Sequence, residues 1–320
     1  MKNKIIIISG DPNSINSEII FKSWKKINNS VKKKIYFISS YKLMVKQSKI
    51  LKNSVKIIKV KNIYEKSKSI DLKVIDQNLK FKNAFKVPFP EVSKYVINSL
   101  NLGHKLGLNK NVKGIINCSI DKKIFKKKIG VTEYLATKCK VKNNTEVMLI
   151  KSKKLAVCPI TTHIDIKEVS KKINPNKIIN KVKNIDLWYK KNFNQKPKIG
   201  ILGLNPHNSE MTKNSEEKRI IVPSISKLKK KGININGPFI ADTIFVSNYK
   251  KYDVIVGMYH DQVLAPFKSL FKFDAINITL GLKYLRISPD HGTGIDLIKK
   301  GKANPISLIR CIEFVNNLKK

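Results

Sequence analysis

The chain has 320 residues, 42% of them hydrophobic, which is enough for one large domain or two ordinary ones and excludes general disorder. Its longest apolar runs, such as residues 5–8 and 254–258, are far shorter than the ~20 residues of a membrane helix. The N-terminal apolar run is too short for a secretory signal and is followed by no small-residue cleavage site. We therefore expect a cytoplasmic protein with no membrane partner.

The formal net charge of +43 invites a nucleic-acid interpretation. Of the 65 basic residues, however, only Arg219, Arg286 and Arg310 are arginine. Surfaces that bind phosphates or recognise guanine favour the planar guanidinium group of arginine. The lysines here, moreover, are spread along the whole chain. Lys, Ile and Asn share A/T-rich codons, so base composition explains much of the charge. We expect no specific nucleic-acid partner, although the positive field attracts anionic substrates.

Short apolar runs alternate with helical patterns along the chain, which predicts an α/β fold. The strand candidates, in chain order, are residues 4–9, 34–39, 55–60, 113–118, 145–150, 155–160, 198–204, 253–258 and 276–280. The helix candidates begin at about Ser17 and continue with residues 91–107, 132–140, 175–192, 215–231 and 305–319. No repeat and no Gly/Ser-rich linker interrupts the pattern, which favours two closely packed lobes with a cleft between them. The lysine-rich stretch Lys122–Lys128 is interpreted as a solvated face.

The four cysteines, Cys118, Cys139, Cys158 and Cys311, are well separated and form no CxxC pair. This spacing predicts reduced, mostly buried thiols rather than a disulfide framework or a zinc cage.

The first predicted strand ends in GDPNSINSE, residues 10–18. The dinucleotide fingerprint GxGxxG needs three glycines, and this run has one. The helix N-terminus that follows could hold an anion, but an ordinary strand-to-helix turn is the favoured interpretation.

Three of the five histidines follow apolar strands: His163 after LAVCPI, His207 after KIGILGL and His260 after DVIVGM. Ligands of open α/β sheets bind at the carboxyl ends of the strands. Imidazole is the commonest metal ligand, and catalytic metals use three protein ligands with one open position. A single histidine of this kind is more often an ordinary loop residue, but three at equivalent strand ends predict a shared divalent-metal site. Asp242 and Asp261 could bind the metal or orient a histidine, and a turn or capping role is equally open for each.

A second group of polar residues lies downstream. Lys268, Asn277 and Arg286 fall near predicted strand ends and suit a phosphate or carboxylate ligand. Arg286 carries more weight than Lys268 because arginine is so scarce in this chain. The run SPDHGTGIDLIKKGKANP, residues 288–305, then forms a glycine-containing loop with His291 and Asp296, for which a surface turn before the last helix is the alternative.

The runs TTH, GLNPH, GPFIADT, MYHDQVLAPFK, NITLGL and SPDHGT, in this order, resemble the 4-hydroxythreonine-4-phosphate dehydrogenase family of vitamin B6 (pyridoxal phosphate) biosynthesis. The resemblance covers nearly the whole chain and is strongest from residue 160 to 305. The loop at 291–305 also resembles the cofactor loop of the wider isocitrate and isopropylmalate dehydrogenase group. The resemblance implies that group's two-lobed α/β fold with a central cleft. We place residues 1–128 with 288–320 in the first lobe, and 129–287, with most metal and substrate residues, in the second.

The resemblance also implies an activity: oxidation of the hydroxyl of 4-phosphohydroxy-L-threonine with NAD or NADP, followed by loss of carbon dioxide from the β-keto acid. It implies a homodimer with its active site near the interface. A divalent metal, zinc, magnesium or cobalt, would be held by His163, His207 and His260, with one of the three supplied by the partner subunit. The implied contacts to the small phosphorylated substrate are Thr132, Lys268, Asn277 and Arg286. The implied cofactor contacts are His291, Gly292, Thr293 and Asp296.

The chain departs from the family pattern in three places. A run resembling GDPAGIGPE reads GDPNSINSE, and one resembling TGPxxK reads Asn117-Cys118-Ser119-Ile120-Asp121-Lys122. The family's GHTE reads Gly130-Val131-Thr132-Glu133, which removes a substrate-binding histidine. Two alternatives therefore stay open: a related dehydrogenase acting on another phosphorylated four-carbon hydroxy acid, and a degenerate paralogue that binds metal or polyanions without turnover.

Overall fold

The computed structural model describes residues 3–65, 70–125, 130–141 and 146–318. Lys126–Lys128 of the predicted solvated face lie outside these ranges. The chain divides into two compact units, which we call unit 1 (Met1–Lys140 with Leu282–Asn317) and unit 2 (Val141–Gly281). Thr132 and Arg286 thus belong to unit 1, whereas the sequence-based bounds grouped them with the second lobe. For Arg286 the reason is strand pairing, since it lies opposite Ile115 of unit 1.

All the predicted elements are present. The strands of the described residues are β1 Lys4–Ile8, β2 Ile35–Ser39, β3 Ile57–Val60, β4 Leu72–Asp76, β5 Val112–Asn117, β6 Val147–Lys151, β7 Ala156–Pro159, β8 Ile199–Leu202, β9 Ile235–Phe239, β10 Val254–Gly257, β11 Ile276–Leu280 and β12 Arg286–Pro289. The helices are α1 Asn16–Lys26, α2 Asn29–Lys32, α3 Tyr41–Ile50, α4 Phe89–Gly107, α5 Val131–Lys138, α6 Val169–Lys172, α7 Pro175–Phe193, α8 Val222–Lys229, α9 Ala241–Ile244, α10 His260–Phe271 and α11 Ile306–Asn317. All nine predicted strands and all six predicted helices are confirmed, although the helix expected at 215–231 begins as a π-helical turn over Glu217–Ile221.

Unit 1 contains a parallel sheet with strand order β3-β4-β2-β1-β5-β12. Its central strand β1 is a run of isoleucines, Ile5–Ile8, each at most 1% exposed. Strands of parallel sheets are covered on both faces, which explains why this strand reads as a continuous apolar run. Helix α4 packs against β1 and β5 and closes one part of the core.

Unit 2 contains strands in the order β11-β6-β7-β10-β8-β9. Strands β7, β10, β8 and β9 are mutually parallel, and β6 runs antiparallel to both β7 and β11. The carboxyl ends of β7, β10 and β8 therefore lie side by side at one edge of this sheet.

Three of the elements that sequence patterns missed break a local rule. Strand β4 carries a lysine in its middle, Lys73, which is fully buried and donates from Nζ to the Lys33 carbonyl oxygen at 2.8 Å. Strand β9 contains Gly237-Pro238, a pair that argues against a strand. Helix α10 has Pro266 in its interior, where proline normally ends a helix. Tertiary packing outweighs local preference at each of these positions.

All four cysteines are buried free thiols, as predicted. No helix in the described part of the chain is long and apolar enough to cross a membrane.

The turn after β1 is held by Asn13 and Asn16, which stand where the family pattern has alanine and glycine. The Asn13 side chain pairs with the backbone of Val87 through two hydrogen bonds of 2.8 Å. The Asn16 amide donates to the Ser119 carbonyl oxygen at 2.8 Å and accepts from the Ser119 hydroxyl at 2.7 Å. Gly10 keeps a φ of +76°, and a Cβ there would lie 2.4 Å from the Ser119 carbonyl oxygen. The strand-to-helix turn is thus a fixed structural feature with one indispensable glycine.

We expect Gly10→Ala to lower the free energy of unfolding more than Gly232→Ala does. Both glycines have left-handed backbone, but a Cβ at Gly232 would meet nothing within 4 Å. Gly232→Ala should therefore cost only the conformational strain, about 1–2 kcal/mol. Gly10→Ala should cost at least about 1 kcal/mol more, because atoms also overlap. Urea unfolding of both variants measures this, and equal losses would contradict the close approach at Gly10.

Candidate active site

The three candidate metal-binding histidines follow three neighbouring parallel strands of unit 2. His163 follows β7, His260 is the first residue of α10 directly after β10, and His207 follows β8. Since β10 pairs with both β7 and β8 in parallel, all three loops emerge at one sheet edge. The strand-end position of each histidine is confirmed, and metal ligation stays a prediction.

His163 and His260 come together, with 5.7 Å between their ring centroids. Hydrogen bonds tie the two loops that carry them: the Ile160 N–H donates to the Gly257 carbonyl oxygen at 2.8 Å. The Thr161 hydroxyl and N–H both donate to the Met258 carbonyl oxygen, at 2.7 and 3.0 Å. The pair of rings is therefore positioned by extensions of the strand ladder rather than by loop packing alone.

His260 is oriented by its neighbour. Its Nδ1 lies 2.6 Å from an Asp261 carboxylate oxygen, so Nδ1 carries the donated proton. The remaining ring nitrogen, Nε2, is then the one suited to a metal, and such carboxylate–histidine pairs are typical of metal sites. Asp261 thus has the geometry of an orienting residue. Asp242 lies exposed in the short helix α9.

His207 occupies a strained turn. It and the four residues that follow, through Met211, all have φ between +46° and +56°. Non-glycine residues rarely adopt this conformation, and such strain clusters at functional sites. The described residues of one chain contain no group of three His, Cys, Asp or Glu side chains that could hold one metal ion.

Two residues that sequence reasoning missed hold these loops in place. The Gln262 side chain accepts from the Met258 N–H at 2.7 Å and donates to the Gly203 carbonyl oxygen at 2.8 Å, which links the loops after β10 and β8. The Glu217 carboxylate accepts from the N–H groups of Leu204 and Asn205, at 2.7 and 2.8 Å. Gln262 could have been found from its place just after His260. No spacing signal marks Glu217.

Glu217 is completely buried. Burial by itself raises the pKa of this carboxyl, but the hydrogen bonds from Asn205, Leu204 and its own backbone outweigh it, and the pKa is lowered overall. Glu217 is therefore an ionised carboxylate that holds the loop after β8 in place through its hydrogen bonds.

In unit 1, Arg286 and Thr132, two of the implied substrate contacts, lie together. Arg286 opens β12 and is only 3% exposed. Its Nε donates to the Asn117 side-chain oxygen at 2.6 Å, and its Nη1 donates to the Thr132 hydroxyl at 3.2 Å. Burial lowers the pKa of Arg286 to about 10, so the guanidinium stays charged at neutral pH. Asn117, from the segment that departs from the family pattern, is a partner that sequence reasoning did not assign.

Lys268 and Asn277 belong to unit 2. Lys268 was expected near a strand end. It lies instead inside α10, where its side chain is exposed. The expectation was wrong because Pro266 concealed the helix. Asn277 is the second residue of β11, and its side-chain oxygen is buried without a hydrogen-bond partner among the described residues. A ligand donor would satisfy that oxygen.

The candidate cofactor residues lie in the loop after β12. The Ile15 N–H donates to the Thr293 carbonyl oxygen at 3.0 Å, and Gly294 has a φ of +56° close against the Ile15 side chain. His291 places Nδ1 2.9 Å from the Gly292 carbonyl oxygen, while its Nε2 is buried without a partner among the described residues. Burial lowers the pKa of His291, which favours the neutral ring. Asp296 lies exposed in a 3₁₀ turn over Ile295–Leu297.

Comparison with known proteins places these features in context. A family profile described as "Pyridoxal phosphate biosynthetic protein PdxA" matches residues 30–315. A 4-hydroxythreonine-4-phosphate dehydrogenase of Sulfurihydrogenibium sp. is 38% identical over 327 residues, covering 99% of this chain and 98% of the relative. A D-threonate 4-phosphate dehydrogenase of Pectobacterium atrosepticum is 36% identical over 59% of this chain and 58% of its own length. The crystal structure of a 4-hydroxythreonine-4-phosphate dehydrogenase from Klebsiella pneumoniae superposes with a TM-score of 0.86 at 27% identity, covering 98% and 97% of the two chains.

We expect Glu217→Gln to destabilise the protein by about 1–3 kcal/mol at neutral pH, since two N–H groups lose a charged acceptor. The pKa of Glu217 is lower in the folded protein than its value of 4.5 in the unfolded chain. The ionised carboxylate therefore stabilises the fold fully above pH 4.5, and this stabilisation is lost as the pH falls through the pKa of the folded protein. The stability gap between wild type and variant, measured by urea unfolding, should therefore be constant above that pH and shrink below it.

Glu216→Gln is the matched control, because Glu216 contacts only the Asn205 side chain of this loop, at 2.9 Å. A gap for Glu217→Gln that is no larger than that of Glu216→Gln, or that does not change with pH, would contradict the assigned role.

Proposed function

The chain belongs to the family of the pyridoxal phosphate biosynthetic protein PdxA, and on this premise we propose that it oxidises and decarboxylates 4-phosphohydroxy-L-threonine with NAD or NADP. It is an oxidoreductase of the dehydrogenase class. The observation that carries the choice of substrate class is the buried guanidinium of Arg286. One of only three arginines in a lysine-rich chain is held rigidly between Asn117 and Thr132. Such a fixed, desolvated guanidinium group is suited to bind a phosphate or a carboxylate through hydrogen bonds.

The chain's own residues have distinct roles in this proposal. Arg286 and Thr132 bind an anionic group of the substrate. Asn277 accepts a hydrogen bond through its otherwise unpartnered buried oxygen. Lys268 contributes a cation from the surface of α10. Binding through several fixed polar groups positions the reacting hydroxyl and lowers the entropic cost of the reaction.

His163 and His260 of one chain, with His207 from a partner subunit, would hold the divalent metal, for which zinc, magnesium and cobalt are candidates. The donor set fits a metal because two imidazoles face each other and Asp261 orients one of them. When bound, the metal would lower the pKa of the substrate hydroxyl and polarise the ketone. His207 is the histidine assigned to the partner, since His163 and His260 are the two whose rings lie together in one chain.

A homodimer is part of this proposal. Large apolar side chains are exposed beside two of the histidines: Ile164 is 41% exposed, Ile166 is 74% exposed, and Met211 at the end of the His207 turn is 39% exposed. Apolar surface next to ligand residues is typical of an interface that completes a site. A cytoplasmic location and the lack of a specific nucleic-acid partner remain predictions from sequence.

His291, Gly292, Thr293 and Asp296 would contact the dinucleotide, whose nicotinamide ring accepts the hydride. The unpartnered buried Nε2 of His291 fits a ligand that supplies a hydrogen bond. The backbone bond between Ile15 and Thr293 fixes this loop against the start of α1.

A second substrate, D-threonate 4-phosphate, is favoured by one observation. Val131, at the first position of α5, packs against the apolar core of unit 1 and offers no hydrogen bond where the family pattern has a histidine. The Pectobacterium relative is named for that substrate. NADH formation from a panel of both substrates separates the two activities, and turnover of neither would favour the non-catalytic paralogue.

We expect His163→Ala and His207→Ala each to abolish tight metal binding and activity when purified alone. In a symmetric dimer with His207 donated by the partner, mixing these two variants should restore about a quarter of the sites. Refolded or co-expressed mixtures, assayed for bound metal and NADH formation, measure this recovery.

The control mixture is His163→Ala with His260→Ala, which should restore nothing because those two residues serve the same site. Recovery in the control alone, or in neither mixture, would contradict the assignment of His207 to the partner subunit.

We expect Val131→His to raise kcat/KM on 4-phosphohydroxy-L-threonine. A regained hydrogen bond to a charged group contributes about 1.5–3 kcal/mol. This free energy corresponds to an increase in kcat/KM of roughly ten- to a hundredfold. Val131→Leu is the control, because it fills the space without a hydrogen bond and should give no gain. Two results together would favour the second substrate. The Val131→His variant would lose activity on 4-phosphohydroxy-L-threonine, and the wild-type protein would have the higher kcat/KM on D-threonate 4-phosphate.

A further inference from the structure

A cavity of about 820 Å³ lies in unit 1, away from the residues assigned above. It opens at the carboxyl ends of three neighbouring parallel strands, β2, β4 and β3. That edge is where ligands bind in open α/β sheets. The volume falls in the range of about 300–1,000 Å³ that small-molecule sites occupy. None of its lining residues belongs to the Arg286 group or to the loop at 291–305.

One part of the cavity is cationic. Its lining includes four lysines, Lys42, Lys59, Lys61 and Lys80, and a single carboxylate, Asp76. The carboxylate is already compensated, since Asp76 lies 2.7 Å from the Lys59 ammonium and accepts from the Tyr41 N–H at 2.9 Å. The cavity therefore presents an uncompensated positive field to a ligand. A neutral ligand would gain nothing from it.

Another part of the lining is apolar and includes one aromatic ring. Val60, Ile75, Leu79 and Phe81 line it. Exposed aromatic rings bind flat heterocycles by stacking. Gln77 and Asn78 add amide groups to the lining, and the Gln77 amide donates to the Asp76 carbonyl oxygen at 2.9 Å.

We infer that this cavity is a binding site for a nucleoside phosphate, separate from the proposed dinucleotide loop. The lysines receive the phosphates, the apolar wall receives the base, and the amides receive sugar hydroxyls. A plain polyphosphate would leave the apolar wall unused, and a nucleoside without phosphate would leave the lysines unused.

The test is calorimetric titration of the full-length protein with ADP, adenosine and inorganic pyrophosphate at physiological salt. Saturating NAD is present throughout to occupy the dinucleotide site. ADP should bind at one site per chain, and adenosine at least tenfold more weakly. Lys42→Ala with Lys80→Ala should weaken ADP binding at least tenfold. Phe81→Ala should weaken ADP binding but leave pyrophosphate binding unchanged.

The matched control is Lys227→Ala with Lys229→Ala, an exposed pair on α8 of unit 2 whose removal changes the net charge equally. A loss of ADP binding in this control as large as in the cavity variant would overturn the site, and so would abolition of ADP binding by NAD. Pyrophosphate binding as tight as ADP binding, insensitive to Phe81→Ala, would overturn the nucleoside assignment. NADH formation should be unchanged in the cavity variants, so failure of the proposed dehydrogenase activity would be seen independently of ADP binding.

Discussion

The side-by-side order of β7, β10 and β8 is the constraint on which the candidate site depends. Parallel strands in one sheet deliver their carboxyl ends to the same edge, so residues separated by about a hundred positions in sequence become neighbours in space. Hydrogen bonds that continue past the strand ends then fix the loops: Thr161 onto Met258, and Gln262 onto both Met258 and Gly203. Without these bonds the loops would be free to move, and ligand geometry would be lost. The sheet and its extensions determine where the three candidate histidines lie.

Periodicity and apolar runs sufficed for most of the fold because buried parallel strands have an unambiguous signature. In β4 the pattern failed because a buried polar residue is compensated through contacts far away in sequence. Lys73 in β4 is tolerated because carbonyl groups of residues 32 and 33 accept from its ammonium group. Similarly, the strand positions of the histidines were predictable, whereas Glu217 was not, since its role depends on a turn that strand and helix periods do not describe. Local patterns thus locate ligands better than the residues that support them.

The departures from the family pattern are coupled rather than random. Asn16 and Ser119 both replace residues that cannot form a side-chain hydrogen bond, and they bond to each other reciprocally. Asn13 likewise pairs with the backbone at Val87. Ser17, in the same run, is an exception, since its buried hydroxyl has no hydrogen-bond partner among the described residues. At Asn13 and Asn16 the substituted side chains form a defined network, which gives the turn after β1 a fixed structure.

The large positive charge and the buried arginine act at different ranges. At physiological ionic strength, exposed charges are screened beyond about 8 Å, so the lysine surface concentrates anions without distinguishing among them. Arg286 is removed from solvent and held by two hydrogen bonds, so screening affects it little and its orientation is fixed. A lysine at the same position would keep the charge but lose the planar fork and the contacts that fix it. Under the proposed function, selection among anions comes from desolvated, oriented donors such as Arg286, and the surface field raises only the rate at which anions encounter the protein.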